Sequence, residues 1–285
     1  MQAKVAEPQF SFLRGLLKRR TGVCIDASKQ YLVSARLQPI VRQRRLPGIE
    51  VLLDHVKQGA DATLERDVLC AMMTHETSFF RDQAPFEALR RFLVELVARR
   101  ARERSLTIWS AACSTGQEAY SIAIVLHEHF RDLLASWRIR VIASDFSEPA
   151  LARARAGLYS GLETNRGLTP QVLAKYFRPL QGQSSVAHEC RRLVEFRQMN
   201  LNGPWPLLPP CDVIFLRNVM LYFDVPTRAA LLAKVKRVLR PDGALFLGGA
   251  ETLIGVDDGW ERVADRGSCR YRPRAARPAT RGPGS

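Results

Sequence analysis

Between Ile108 and Ala123 the chain reads IWSAACSTGQEAYSIA, a buried strand that turns through one short loop into an apolar helix. No other stretch restricts the fold as strongly, because the pattern recurs. Strands are predicted over Leu106–Ser110, Ile139–Ser144, Val213–Leu216 and Ala244–Leu247. Helices are predicted between them over Glu118–Phe130, Pro149–Ala156 and Thr227–Leu239. Alternation of this kind makes a parallel sheet covered by helices on both faces. Thr169 followed by Pro170 marks a further helix start, and Arg-Pro-Asp-Gly at 240–243 a turn before the last strand.

In a doubly wound sheet, ligands bind beyond the carboxyl ends of the strands, where the first strand gives way to the first helix. Ser110–Glu118 lies at that position. Its small residues let a ligand approach backbone, and the helix start offers unpaired N–H groups. A dinucleotide would need the glycines of G-x-G-x-x-G for its pyrophosphate, but this loop has Gly116 alone and places Glu118 in the first helical turn. A carboxylate there repels a diphosphate and suits a cation. S-adenosylmethionine, with an ammonium and a sulfonium, matches the loop better than NAD. The second strand ends in Asp145, where an acidic side chain can take both hydroxyls of a ribose; taken singly, an Asp after a strand is more often a helix cap.

The chain has 285 residues, 46% of them hydrophobic, enough for a full core. Lys+Arg 43 against Asp+Glu 28 gives a net charge of +15, which attracts nucleic acid, anionic lipid or an acidic protein without choosing among them. Part of that charge is concentrated. From Phe10 to about Met73 apolar residues recur at helical spacing in several short helices, and Lys29, Arg36, Arg42, Arg44 and Arg45 crowd on and after the second. Such a cluster is either a solvated face or a docking surface for an acidic partner. Pro85 opens a long linking helix with Phe86, Leu89, Leu93, Leu96 and Val97 on one face.

Six scattered cysteines with no C-x-x-C pair read as reduced structural thiols. No apolar run approaches the roughly 20 residues of a membrane span, and the first residues lack a signal-peptide core, so a cytoplasmic protein without membrane insertion is expected. His127 and His129, two apart on a helix, point to different sides, and no metal site is expected. The Pro/Arg/Gly-rich end, 273–285, is expected to be disordered.

Further segments sharpen the reading. THETSFFRD (Thr74–Asp82), WSAACSTGQEAYSIA, VIASDFSEPALARARAGLY, MNL, IFLRNVMLYFD and GGAETL occur in order. From about Phe10 to Tyr271 the chain resembles the CheR family of chemotaxis receptor methyltransferases, and T-x-FFR and RNV-x-x-YFD are specific to it. The resemblance implies an α/β fold: a Rossmann-like S-adenosylmethionine-dependent methyltransferase domain with a small inserted antiparallel β subdomain, preceded by an all-helical N-terminal domain. Residues 1–83 would form the helical receptor-docking domain and 84–272 the methyltransferase domain, with the insert at about 159–196. The implied reaction is transfer of a methyl group from S-adenosylmethionine to glutamate side chains on the cytoplasmic helices of chemoreceptors, leaving S-adenosylhomocysteine. The implied protein is a cytoplasmic monomer that associates transiently with receptor arrays.

Residue by residue, the resemblance places Ala112 and Glu118 at the methionine end of the cofactor, Asp145 at the ribose, Asn200 with Leu201 beside the adenine and Thr77 over the cofactor, with His75 and Phe146 also among the cofactor-binding residues. Asn218 and Val219 would close the site near the sulfonium, Arg81 would come over the cofactor, and Tyr222 would stand opposite; Arg81 and Tyr222 are the catalytic candidates. The chain departs from the family pattern at His75 (usually Asn), at Gly-Gln-Glu-Ala 116–119 (usually GEEP) and at Gly-Gly-Ala-Glu 248–251 (commonly GHSE). Two other readings remain at this level: methylation of RNA, which the charge also suits, and a non-catalytic, cofactor-sensing protein that docks on receptors. Against the first, LRNVMLY replaces the (D/N)-P-P-(Y/F) loop of base-amino methylation.

Overall fold

The computed structural model describes residues 5–59 and 61–274. Four helices come first, α1 (Glu7–Thr21), α2 (Gln30–Gln43), α3 (Ile49–Gln58) and α4 (Ala62–Met72). Each buries one apolar stripe in a common core that includes Phe10, Leu13, Leu37, Leu52, Leu53 and Val68. Asp61 caps α4 by accepting from the N–H groups of Thr63 and Leu64.

The linking helix α5 (Ala84–Arg99) leads into β1 (Ser105–Ala111), α6 (Gln117–His129), α7 (Arg131–Ser136), β2 (Arg138–Asp145) and α8 (Glu148–Ala156). Then follow β3 (Leu158–Tyr159), α9 (Gly161–Asn165), α10 (Pro170–Tyr176), β4 (Phe177–Leu180), β5 (Gln183–Val186), α11 (His188–Leu193) and β6 (Val194–Gln198). The chain closes with β7 (Cys211–Leu216), α12 (Val225–Val238), β8 (Leu239–Leu247), β9 (Trp260–Asp265) and β10 (Ser268–Pro273). The main sheet has seven strands in the order β6-β2-β1-β7-β8-β10-β9, and β3-β5-β4 form a separate antiparallel sheet.

The α/β architecture stands, with differences in detail. Only β6, β2, β1, β7 and β8 run parallel; β10 is antiparallel to both β8 and β9. The 240–243 segment is not a free turn but part of β8, where Leu239 pairs with Cys211 and Ala244 with Val213 across a bulge. Val194–Phe196, inside the span expected for the insert, pairs with β2 in the main sheet. Pro273, expected in the tail, ends β10 against Trp260; residues 275–285 lie outside the described residues.

Strand side chains alternate between two cores. Ile108, Val213, Phe215 and Phe246 face α5, α6 and the small sheet, while Trp109, Ile214, Leu216 and Leu245 face α12 and the segment after β6. The linking helix is fixed at its end by charge. Buried Arg100 donates from Nε to Asp212 Oδ1 (2.8 Å) and pairs with Asp242 (2.6 Å), while Asp212 Oδ2 accepts the Thr107 N–H at 2.8 Å. Asp212→Ala removes the acceptor for two buried donors and is expected to cost about 3 kcal/mol. Denaturant unfolding measures it, and a loss below about 1 kcal/mol, the value of an exposed pair, would contradict this role.

Candidate functional site

The site is built where three strands end. After β1 the loop makes left-handed turns at Ala112 (φ 58°), Ser114 (φ 52°) and Gly116 (φ 95°). Gly116 is required there, since a Cβ would lie 2.8 Å from that of Ala154. The folded-back loop reaches the end of β2: the Ser114 N–H donates to Asp145 Oδ2 (2.8 Å) and the Ser147 N–H to Asp145 Oδ1 (2.9 Å). Each oxygen keeps lone-pair capacity. Asp145 is therefore not simply a cap; Ser147 caps α8, accepting from Ala150 N–H.

Beyond β7, Asn218 is also left-handed (φ 59°). Glu251 holds this turn. Its carboxylate accepts the N–H groups of Asn218 (2.7 Å), Val219 (2.9 Å), Met220 (2.8 Å) and Gly248 (2.8 Å), so it clamps the end of β7 to the end of β8.

Arg217, first after β7, is 5% exposed and reaches across to two other segments. It pairs with Glu118 (3.1 Å) and Asp82 (2.7 Å) and donates to the Arg81 carbonyl (2.8 Å). The segment it grips is strained, with positive φ at Phe80, Asp82 and Gln83. Phe79, just before, packs edge-on against Tyr159 (4.9 Å) and Phe177 (5.3 Å) of the small sheet. A Cβ on Gly167 would come within 1.9 Å of the Phe79 carbonyl oxygen, so only glycine allows that approach.

The helical domain supplies the remaining wall. Val23 bridges Phe223, the Cys24 N–H donates to the Tyr222 carbonyl (2.8 Å), and Asn200 Nδ2 donates to the Arg20 carbonyl (2.7 Å). These contacts hold α2 over the strand ends and close a cavity of about 150 Å³. His75, Thr77, Arg81, Ala112, Glu118, Asp145, Phe146, Asn200, Leu201, Asn218, Val219 and Tyr222 all line it, and so do Lys29, Arg36 and Arg217. Of the basic cluster, Arg36 bonds to the Met72 carbonyl and Thr74, and Arg44 pairs with Asp67 (3.0 Å) and Asp61 (3.7 Å).

Arg217 and Glu251 were not among the candidates read from sequence. Both stand inside the quoted motifs, but their partners lie 99 and 135 positions away for Arg217 and up to 33 for Glu251. Only the fold brings them together.

Burial dominates the electrostatics. It pushes Glu118 above the usual carboxylate range, although Arg217 and a 2.7 Å bond from Ser110 Oγ oppose it. It raises Asp145 likewise, against the Ser147 and Ser114 amides and the charge of His75. It keeps Cys113 a thiol, far above its ordinary value.

The residues fit S-adenosylmethionine. Two carboxylates that burial disfavours as lone anions, Glu118 and Asp145, gain from a cationic ligand and from ribose hydroxyls. Arg217 and Arg81 line the same cavity, and Arg217 Nε is buried without a hydrogen-bond partner.

Comparison with known proteins agrees. The all-alpha domain of CheR methyltransferases matches residues 8–74, and their SAM-binding domain matches residues 75–267. The chemotaxis protein methyltransferase Cher2 of Pseudomonas putida is 35% identical over 257 residues, covering 89% of this chain and 94% of that protein. Chemotaxis protein methyltransferase 1 of Pseudomonas aeruginosa is 36% identical over 262 residues, covering 90% and 95%. A chemotaxis protein methyltransferase of Vibrio parahaemolyticus is 36% identical over 263 residues, covering 91% and 94%.

The raised carboxyls set a pH dependence. Burial shifts both carboxyls toward protonation and a cationic ligand shifts them back, so binding releases protons and affinity grows as pH rises through the raised values. S-adenosylhomocysteine, which keeps the ammonium, is expected to bind more weakly as pH falls from neutral toward the ordinary glutamate value of about 4.3, the loss beginning above that value. Calorimetric titration across that range checks it, and a flat profile in the folded protein would contradict it. Glu118→Gln should weaken binding at neutral pH and flatten the slope.

Proposed function

Because the chain belongs to the CheR methyltransferase family and is an S-adenosylmethionine-dependent methyltransferase of chemotaxis, we propose that its acceptors are glutamate side chains on the cytoplasmic helices of chemoreceptors. One observation carries this reading. The cavity lined by Glu118 and Asp145 is also lined by Lys29 and Arg36, so a cation-holding interior lies under a basic wall suited to an acidic helix.

The chemistry asks little of the chain. Bound S-adenosylmethionine supplies an already activated methyl group on its sulfonium. The acceptor glutamate, with an unperturbed pKa of about 4.3, is an anion at neutral pH and needs no general base. The residues therefore position groups and exclude water. Glu118 holds the ammonium, with His75, Thr77 and Ala112 beside it, while Asp145 and Phe146 border the ribose and Asn200 and Leu201 the adenine. Arg81 pins a carboxylate through charge-assisted bonds, and the Tyr222 hydroxyl donates to the acceptor. Asn218 and Val219 form the floor near the sulfonium. Cys113, buried and held as a thiol, takes no part. The protein works as a monomer in the cytoplasm and visits receptor arrays transiently. No helix among the described residues is long and apolar enough to cross a membrane.

The test is transfer of labelled methyl groups to the cytoplasmic region of a chemoreceptor. Label on glutamate is released by alkali as methanol, the behaviour of an ester. Label in RNA, or label stable to alkali, would overturn the reading. Arg81→Ala is expected to lower turnover at least about tenfold, or about 1.4 kcal/mol, with the melting temperature nearly unchanged. Equal turnover would remove Arg81 from the mechanism.

A further inference from the structure

At the opposite end of the sheet, where β1 and β2 begin, a second cavity of about 210 Å³ is lined by Ser105, Thr107, Arg138, Arg140, Pro209, Pro210 and Arg240. Its position follows from strand register. Arg138 and Arg140 are two apart on β2 and project from one face; Ser105 and Thr107 stand opposite them on β1 and project from the same face. Arg240, at the start of β8, closes the third side.

Nothing in this cavity neutralises the strand arginines. The side chains of Arg138 and Arg140 are exposed and make no ion pair or hydrogen bond among the described residues. Arg240 reaches Glu103 at 2.8 Å, and its Nε lies 3.4 Å from Asp212 Oδ1. That Nε is shut off from solvent and still makes no hydrogen bond. Asp212 does not line the cavity and is engaged by Arg100 and the Thr107 N–H. Two unpaired guanidinium groups, one paired one and two hydroxyls thus share a space with no carboxylate on its wall, a local excess of positive charge that attracts an anion.

We propose that this cavity binds a phosphoryl group of a small molecule, as a second ligand site separate from the cofactor cleft. The donor count selects phosphoryl over carboxylate. The unpaired guanidiniums of Arg138 and Arg140 each present a planar fork, and with two hydroxyls they offer more donors than two carboxylate oxygens can accept; a phosphoryl group has three or four oxygens. The space is ample, since a single water needs roughly 10–15 Å³ on this scale. The prolines form a wall without N–H groups, which leaves recognition to the side chains. Because the two sites sit at opposite strand ends, ligand at one should leave affinity at the other unchanged.

The experiment is calorimetric titration of the full chain, saturated with S-adenosylhomocysteine, using inorganic phosphate, pyrophosphate and ATP at constant ionic strength. Expected is saturable one-to-one binding of pyrophosphate, at least tenfold weaker in Arg138→Gln/Arg140→Gln. That variant should keep its melting temperature and its S-adenosylhomocysteine affinity, because both side chains are exposed and unpaired. Equal affinity for pyrophosphate and ATP assigns the site to the phosphoryl group itself; tighter binding of ATP assigns it to a nucleotide, and both support the proposal. Absence of saturable binding, equal affinity in the double variant, competition with S-adenosylhomocysteine, or binding of a short RNA but of none of the three phosphates would overturn it.

Discussion

The buried guanidinium of Arg217 is the interaction on which the site depends. It joins three stretches far apart in the chain: the end of β7, the first turn of α6 through Glu118, and the domain-joining segment through Asp82 and the Arg81 carbonyl. Taking both Arg217 and Glu118 out of water is expensive, and further hydrogen bonds to the pair offset part of that cost. Here Ser110 meets Glu118, and the ring of Phe86 lies 5.6 Å from the guanidinium. Removing one partner leaves the other charge buried, which is why the pair fixes geometry more surely than an apolar contact would.

Around this centre, each segment is held by something outside itself. The strained 80–83 backbone is gripped by Arg217 on one side, while Phe79 is wedged between rings of the small sheet on the other. Glu251 satisfies four amides and so sets the left-handed turn at Asn218. The helical domain is part of the same construction, since Val23 and Cys24 pair with the 222–223 backbone and carry Lys29 and Arg36 to the cavity wall. Cofactor cleft and basic wall are thus one surface built from two domains.

Much of this was legible in sequence because local chemistry dictated it. The small loop after β1, the acid at the end of β2 and the Thr169 cap, which accepts the Val172 N–H, are all written within a few residues. The antiparallel pair β9 and β10 was not read, because Trp260–Asp265 alternates apolar with charged residues only weakly on an edge, although Asp-Arg-Gly-Ser at 265–268 is a turn signal. β6 was hidden in the insert because its strand pattern rests on Val194 and Phe196 alone. Arg217 and Glu251 escaped for another reason: a charged residue after a strand reads as solvated until the fold shows what covers it. The basic cluster divided in the same way, with Arg44 committed to Asp61 and Asp67 while Lys29 and Arg36 line the cavity.

The central claim, that one buried guanidinium organises the cofactor cleft, is tested most directly by the affinity of Arg217→Gln for S-adenosylhomocysteine. Glutamine keeps polarity but cannot reach Glu118, Asp82 and the Arg81 carbonyl together or neutralise Glu118. The account predicts at least a tenfold loss of affinity in a variant that still unfolds cooperatively, with faster amide exchange over residues 79–83. Wild-type affinity together with unchanged exchange in that segment would contradict it.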